Sequence, residues 1–138
     1  MRGSSAQSLA RGFPVAELGV QCLPHEPLSA GLARAHVRAA VSGWTDQTRV
    51  RDALLLTTEL VANAITHGGP AVILRSSLVG GRLRVEVFDA AAGHPRMRAT
   101  WAGSGRGRGL AIVDELADGW GVLPSPAGGK TVWFELLA

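Results

Sequence analysis

Glu59, Asn63 and His67 follow one another at intervals of four residues in "ELVANAITHG", which sets them along one stripe of a helix. An Asn carbonyl one turn from a carboxylate suits a hard, oxygen-seeking cation such as Mg2+ carried by nucleotide phosphates. The same stripe also describes the solvated face of any amphipathic helix. A second group lies in "GSGRGRGLAIVDELADGW", Gly103 to Trp120, where Gly105, Gly107 and Gly109 alternate with Arg106 and Arg108 directly before Leu110 and a helical pattern. Glycines let a backbone approach a phosphate closely, and the first N–H groups of a helix are unpaired donors at the positive end of its dipole. A flexible loop ahead of an ordinary helix start is the other reading. Third, Asp89 closes a strand-like run in "FDAAAG", as a turn former or as an acceptor for the exocyclic amine of a base.

Two familiar phosphate motifs fail on spacing. The dinucleotide fingerprint G-x-G-x-x-G meets Arg108 or Leu110 where its third glycine is needed. A P-loop ending in Lys130-Thr131 needs a glycine where Pro124 stands, and a strand follows it instead of a helix. A Gly-Arg arm for nucleic acid, built on Arg96, Arg98, Arg106 and Arg108, has only Trp101 for stacking. The expectation is therefore no direct nucleic-acid partner.

The elements that must position these groups are legible from periodicity. "FPVAELGVQCLP" reads as a strand ended by Pro24. Leu32, Ala35, His36, Ala39 and Ala40 recur at helical spacing until Ser42-Gly43, with His36 read as a packing residue. Asp46 is the expected N-cap of a longer helix whose apolar face is Val50, Ala53, Leu54, Thr57, Leu60, Val61, Ala64 and Ile65. "AVILRSSLV" and "RLRVEVFDA" form a hairpin across Gly80-Gly81, with Leu83, Val85 and Val87 turned to the core. Residues 90–108 show no period and read as one long loop, of a length that is usually functional or mobile. Leu110, Val113, Leu116 and Ala117 then resume helical spacing, and "GVLPSPAGGK" and "TVWFELLA" supply two strands. The order predicts an α+β, two-layer sandwich: a mixed, largely antiparallel sheet with helices on one face.

Composition bounds the rest. The 138 residues, 46% hydrophobic and 18% charged, suit a single domain over 13–138 behind a flexible tail over 1–12. The net charge of +3 comes almost wholly from arginine, Lys130 being the one lysine. Cys22 is the only cysteine, which leaves no internal disulfide and predicts a reducing compartment; a free Cys is more often a small buried hydrophobe than a catalytic thiol, and Cys22 is left unassigned. No apolar run approaches a membrane span, and the opening residues lack the apolar core of a signal peptide. The expectation is a cytoplasmic protein with no membrane partner.

Taken together, these residues resemble the Bergerat-fold (GHKL) superfamily of gyrase, Hsp90, histidine-kinase and MutL type ATPases, and within it the stand-alone anti-sigma-factor serine/threonine kinases. "ELVANAITHG" is similar to the N box, which implies Asn63 as Mg2+ ligand and Glu59 as catalytic carboxylate. "GRGRGL" resembles the phosphate-binding Gly box at the base of an ATP lid over roughly 90–108, implying ATP contacts at Gly105, Arg106, Gly107, Arg108, Gly109 and Leu110. Asp89 and Gly93 match the ends of the adenine motif D-x-G-x-G, whose middle glycine is Ala91 here. "GGKTVWFEL" is similar to the closing segment and implies Thr131 near the adenine. The resemblance thus implies ATP and Mg2+ as cofactors, a sigma factor and an anti-sigma antagonist as protein partners, and leaves room for a homodimer. It implies either phosphorylation of that antagonist or, alternatively, a non-catalytic ATP-binding partner switch. A sensor histidine kinase or a mechanochemical ATPase needs a dimerisation helix or a transducer domain besides.

Overall fold

The computed structural model describes residues 15–66, 71–90 and 107–138. Strand β1 (Val15–Pro24) leads into helices α1 (Leu28–Ala40) and α2 (Gln47–Thr66). A hairpin of β2 (Ala71–Val79) and β3 (Arg82–Asp89) follows, then α3 (Gly107–Leu116), β4 (Gly119–Pro124) and β5 (Lys130–Leu137). The element order is that read from the sequence. The tail over 1–12, together with His67, Gly93, Gly105 and Arg106, lies outside the described residues.

The five strands form one sheet in the order β1-β2-β3-β5-β4. All four pairings among the described residues are antiparallel, in keeping with the largely antiparallel sheet expected. The β2–β3 turn is Gly80-Gly81, with φ of 55° and 81°, the two positive values that match a two-residue hairpin to the twist of its strands.

Alternation along the strands sorts the sheet into two faces. Val72 and Leu74 of β2, Leu83, Val85 and Val87 of β3, and Val132, Phe134 and Leu136 of β5 are buried. They pack against Ala33, Val37 and Ala40 of α1, Leu56, Leu60 and Val61 of α2, and Leu110 and Val113 of α3. The other face is open: Val20, Cys22, Arg75 and Arg82 are exposed on it. Here Arg84 lies 4.2 Å above the Trp133 ring and pairs with Glu86 and Glu135, both at 2.9 Å. Burial opposes the Arg84 charge, but hydrogen bonds and Coulombic attraction from Glu86 and Glu135 outweigh it and raise its pKa.

Cys22 is exposed, because the burial of Leu23 turns its neighbour outward. Two expectations are corrected here. α1 buries Ser29, Ala33, Val37 and Ala40, a face rotated from the predicted one: Leu32, Ala35 and Ala39 are exposed. Its many alanines satisfy either face, and the helix is docked by Val37. α3 begins at Gly107, inside the stretch read as loop. Two glycines there look like breakers by propensity, yet they occupy the first helical turn, where backbone N–H groups need no intrahelical partner.

α2 matches its expected face closely. Ala53, Thr57, Leu60, Val61 and Ala64 are buried, with Leu56 in addition, and the Thr57 hydroxyl donates to the Ala53 carbonyl at 2.8 Å. Asp46 caps it, its Oδ1 accepting from the Thr48 N–H at 2.9 Å. His36 packs as expected, its Nε2 2.7 Å from the buried Ser76 hydroxyl, and burial lowers its pKa.

Candidate functional site

Strand register decides which groups share an end of the sheet. Asp89, last in β3, lies opposite Lys130, first in β5. The same end carries Pro24 opposite Ala71, and Pro124 opposite Lys130. The far end carries Arg82 opposite Leu137, and Gly119 opposite Glu135. Since β4 starts at the far end, α3 descends toward it, and its first turn lies toward the Asp89 end.

α2 runs the other way. In its first turn Arg49 donates from Nη2 to Asp118 Oδ2 at 2.9 Å and from Nε to the Leu137 carbonyl at 3.0 Å, which anchors that turn at the far end. Its last turn reaches the Asp89 end, where His25 Nε2, just past β1, donates to the Ala64 carbonyl at 3.2 Å. α2 and α3 pack against each other and run antiparallel, so the end of α2 and the start of α3 both lie toward the Asp89 end of the sheet.

Glu59 and Asn63 are half-buried on the last two turns of α2. They lie in the same row as Asp52, seven and eleven residues on, a spacing that returns to one side of a helix. Asp52 pairs with Arg49 at 3.2 Å, and Arg49 in turn holds Asp118 beyond α3. That row is therefore the flank of α2 turned to α3. Gly107, Arg108 and Gly109 form the opening turn of α3, which contains no acidic residue and so offers its N–H groups and positive dipole end undiminished. Leu110 is buried and seats that turn on the core.

Asp89 closes the site on the sheet side. It is buried, 1% exposed, with its carboxylate on the helix-covered face. It has a partner that the sequence reading missed: Lys130 Nζ donates to Asp89 Oδ2 at 3.1 Å. The signal was available, because Val132, Phe134 and Leu136 fix the inward parity of β5, and Lys130 shares it. Thr131 has the opposite parity. It faces the open side beside Phe88 and lines a groove of about 280 Å³ with Ile73, Arg75, Glu86 and Phe88, on the opposite face of the sheet from the Asp89 carboxylate. His25, the tie between β1 and the last turn of α2, carried no sequence signal.

These groups suit a nucleotide. A helix start free of acidic residues accepts phosphate, an ionised carboxylate accepts from a base amine, and an amide oxygen is a fitting ligand for Mg2+. Among the described residues no cluster of three His, Cys, Asp or Glu could hold a metal by itself.

An antiparallel sheet covered on one face by helices, with an Asn-bearing helix, a Gly-rich helix start and a strand-end Asp at one end, defines a GHKL-type nucleotide site. The family model of the histidine kinase-like ATPase domain matches residues 23–136, and the chain belongs to that family. ATP is the ligand the family implies. No curated protein matches the chain. Among the described residues no helix is long and apolar enough to cross a membrane.

Proposed function

We propose that this protein is a Mg2+-ATP-dependent serine/threonine kinase of the anti-sigma-factor type, which phosphorylates an anti-sigma antagonist and sequesters a sigma factor. The observation that supports this most directly is that the last turns of α2, bearing Glu59 and Asn63, and the opening turn of α3 lie toward one end of the sheet, the end that carries Asp89. Bound Mg2+-ATP supplies the phosphoryl group and neutralises the charge that develops on it. The Asn63 side-chain oxygen holds the cation, the N–H groups of Gly107 and Gly109 face the phosphates, and Asp89 accepts from the adenine amine. Glu59 takes the proton of the attacking hydroxyl. Positioning and charge stabilisation are the main contributions in such a site.

The second reading is a non-catalytic partner switch that binds ATP and transfers nothing, favoured by Ala91 in the adenine motif. Calorimetric titration with ATP, with and without Mg2+, run beside a phosphotransfer assay on the cognate antagonist, separates the two. The kinase reading expects Asn63→Ala to abolish the Mg2+-dependent part of binding, and Glu59→Ala to bind ATP while losing at least a hundredfold in transfer, the scale of a general base. Transfer at the parent rate by both variants rejects the kinase mechanism, and no ATP binding by the parent rejects both readings.

A further inference from the structure

Lys130 is the chain's single lysine, is only 4% exposed, and has no place in the mechanism above. A buried ammonium–carboxylate pair is a poor device for stability, because desolvation of the two charges consumes most of their attraction and apolar replacements often do as well. The backbone is nonetheless built to deliver this one. Gly129 has φ of +82°, and a Cβ there would lie 2.3 Å from the Asp89 carbonyl oxygen. A residue with a side chain cannot make that approach, and the approach sets Lys130 directly across from Asp89. A buried charge at its carboxylate and a close contact at its backbone carbonyl, independent of each other, therefore converge on one residue, Asp89.

We infer that Lys130 is a positioning residue for base recognition: its ammonium fixes the Asp89 carboxylate in one orientation as the acceptor for the exocyclic amine of a purine. The inference rests on the nucleotide reading above. A carboxylate on a short side chain is turned by whichever donor engages it, and Nζ on Oδ2 at 3.1 Å fixes the plane of the group before any base arrives. An acceptor set in advance loses no ordering entropy on binding, and its selectivity for a donor is correspondingly sharper.

The test compares the full chain with Lys130→Met and Lys130→Gln, titrating each with ATP and with purine riboside triphosphate, which lacks the exocyclic amine. In the parent, loss of the amine weakens binding roughly tenfold or more, as for a hydrogen bond to a charged group. In Lys130→Met that ratio collapses to within about threefold. If Lys130→Met fails to fold, Lys130→Gln decides, since its amide fills similar space with a neutral donor; a ratio at least threefold below the parent's supports the inference. General structural damage weakens both ligands alike, so an unchanged ratio in the folded variant overturns the inference while the nucleotide reading stands. Tighter ATP binding by the variant also overturns it, because the ammonium would then be competing with the base. If the parent binds neither triphosphate, the nucleotide reading fails and this inference fails with it.

Discussion

Gly128 and Gly129 are neighbours with positive φ, and a methyl group would meet different surroundings at each. At Gly128 nothing lies within 4 Å, whereas at Gly129 the Asp89 carbonyl blocks the space. Gly128→Ala is expected to cost about 1 kcal/mol, from backbone strain alone. Gly129→Ala also forces β5 away from β3 and is expected to cost about 3 kcal/mol or more; denaturant unfolding of the two variants measures the difference. His36 carries a pH prediction. Its folded pKa is depressed by burial, so the unfolded chain binds the proton more readily. Its contribution is fully present above the unfolded value of about 6.5 and is lost as pH falls through the folded pKa. His36→Gln should flatten the stability profile just below that value, read by thermal unfolding across pH 5 to 7.5. At this scale the sequence named Glu59, Asn63 and Asp89 through residue type and spacing, but Lys130 stayed hidden. Its role depends on strand parity and on the partner across the ladder, and neither is a local property of "GGKT".

Elements were most legible where local chemistry and tertiary packing agree. Asp46 precedes a wide apolar stripe, and the structure places its carboxylate on the Thr48 N–H at 2.9 Å. Asp46→Ala is accordingly expected to cost about 1 kcal/mol, with α2 fraying first in hydrogen exchange. The Gly80-Gly81 hairpin and the alternation of β3 were equally plain, since each is set by a turn type or a two-residue period. α1 was legible as a helix but not in its rotation: alanine is small enough to face either layer, and only the docking of Val37 selects the face. The start of α3 was misplaced because propensity counts glycine against a helix, while a helix that presents N–H groups to a ligand gains from having it in the first turn.

At the scale of the whole molecule the two ends of the sheet are unlike. The far end is closed by Arg49, Asp118 and the Leu137 backbone; the other gathers Asn63, Gly107, Asp89 and Lys130. Arg49→Ala is expected to lower stability by about 1 kcal/mol or less, by an amount that shrinks in high salt, since the pair is partly exposed. Phe134→Ala, at 0% exposure in the middle of β5, is expected to cost about 3–5 kcal/mol. The position of β5 between β3 and β4 has a kinetic side as well. Asp89 and Lys130 are 41 residues apart; β1, β2 and β3 can pair among themselves before β5 is made, whereas β4 pairs only with β5. Joining Lys130 to Asp89 closes a long loop through α3 and β4, a contact of the non-local kind that slows folding. A chain emerging from the ribosome therefore assembles its first hairpin and helices while the Asp89–Lys130 corner is still in two pieces, and that corner is completed only when β5 has been made and inserted.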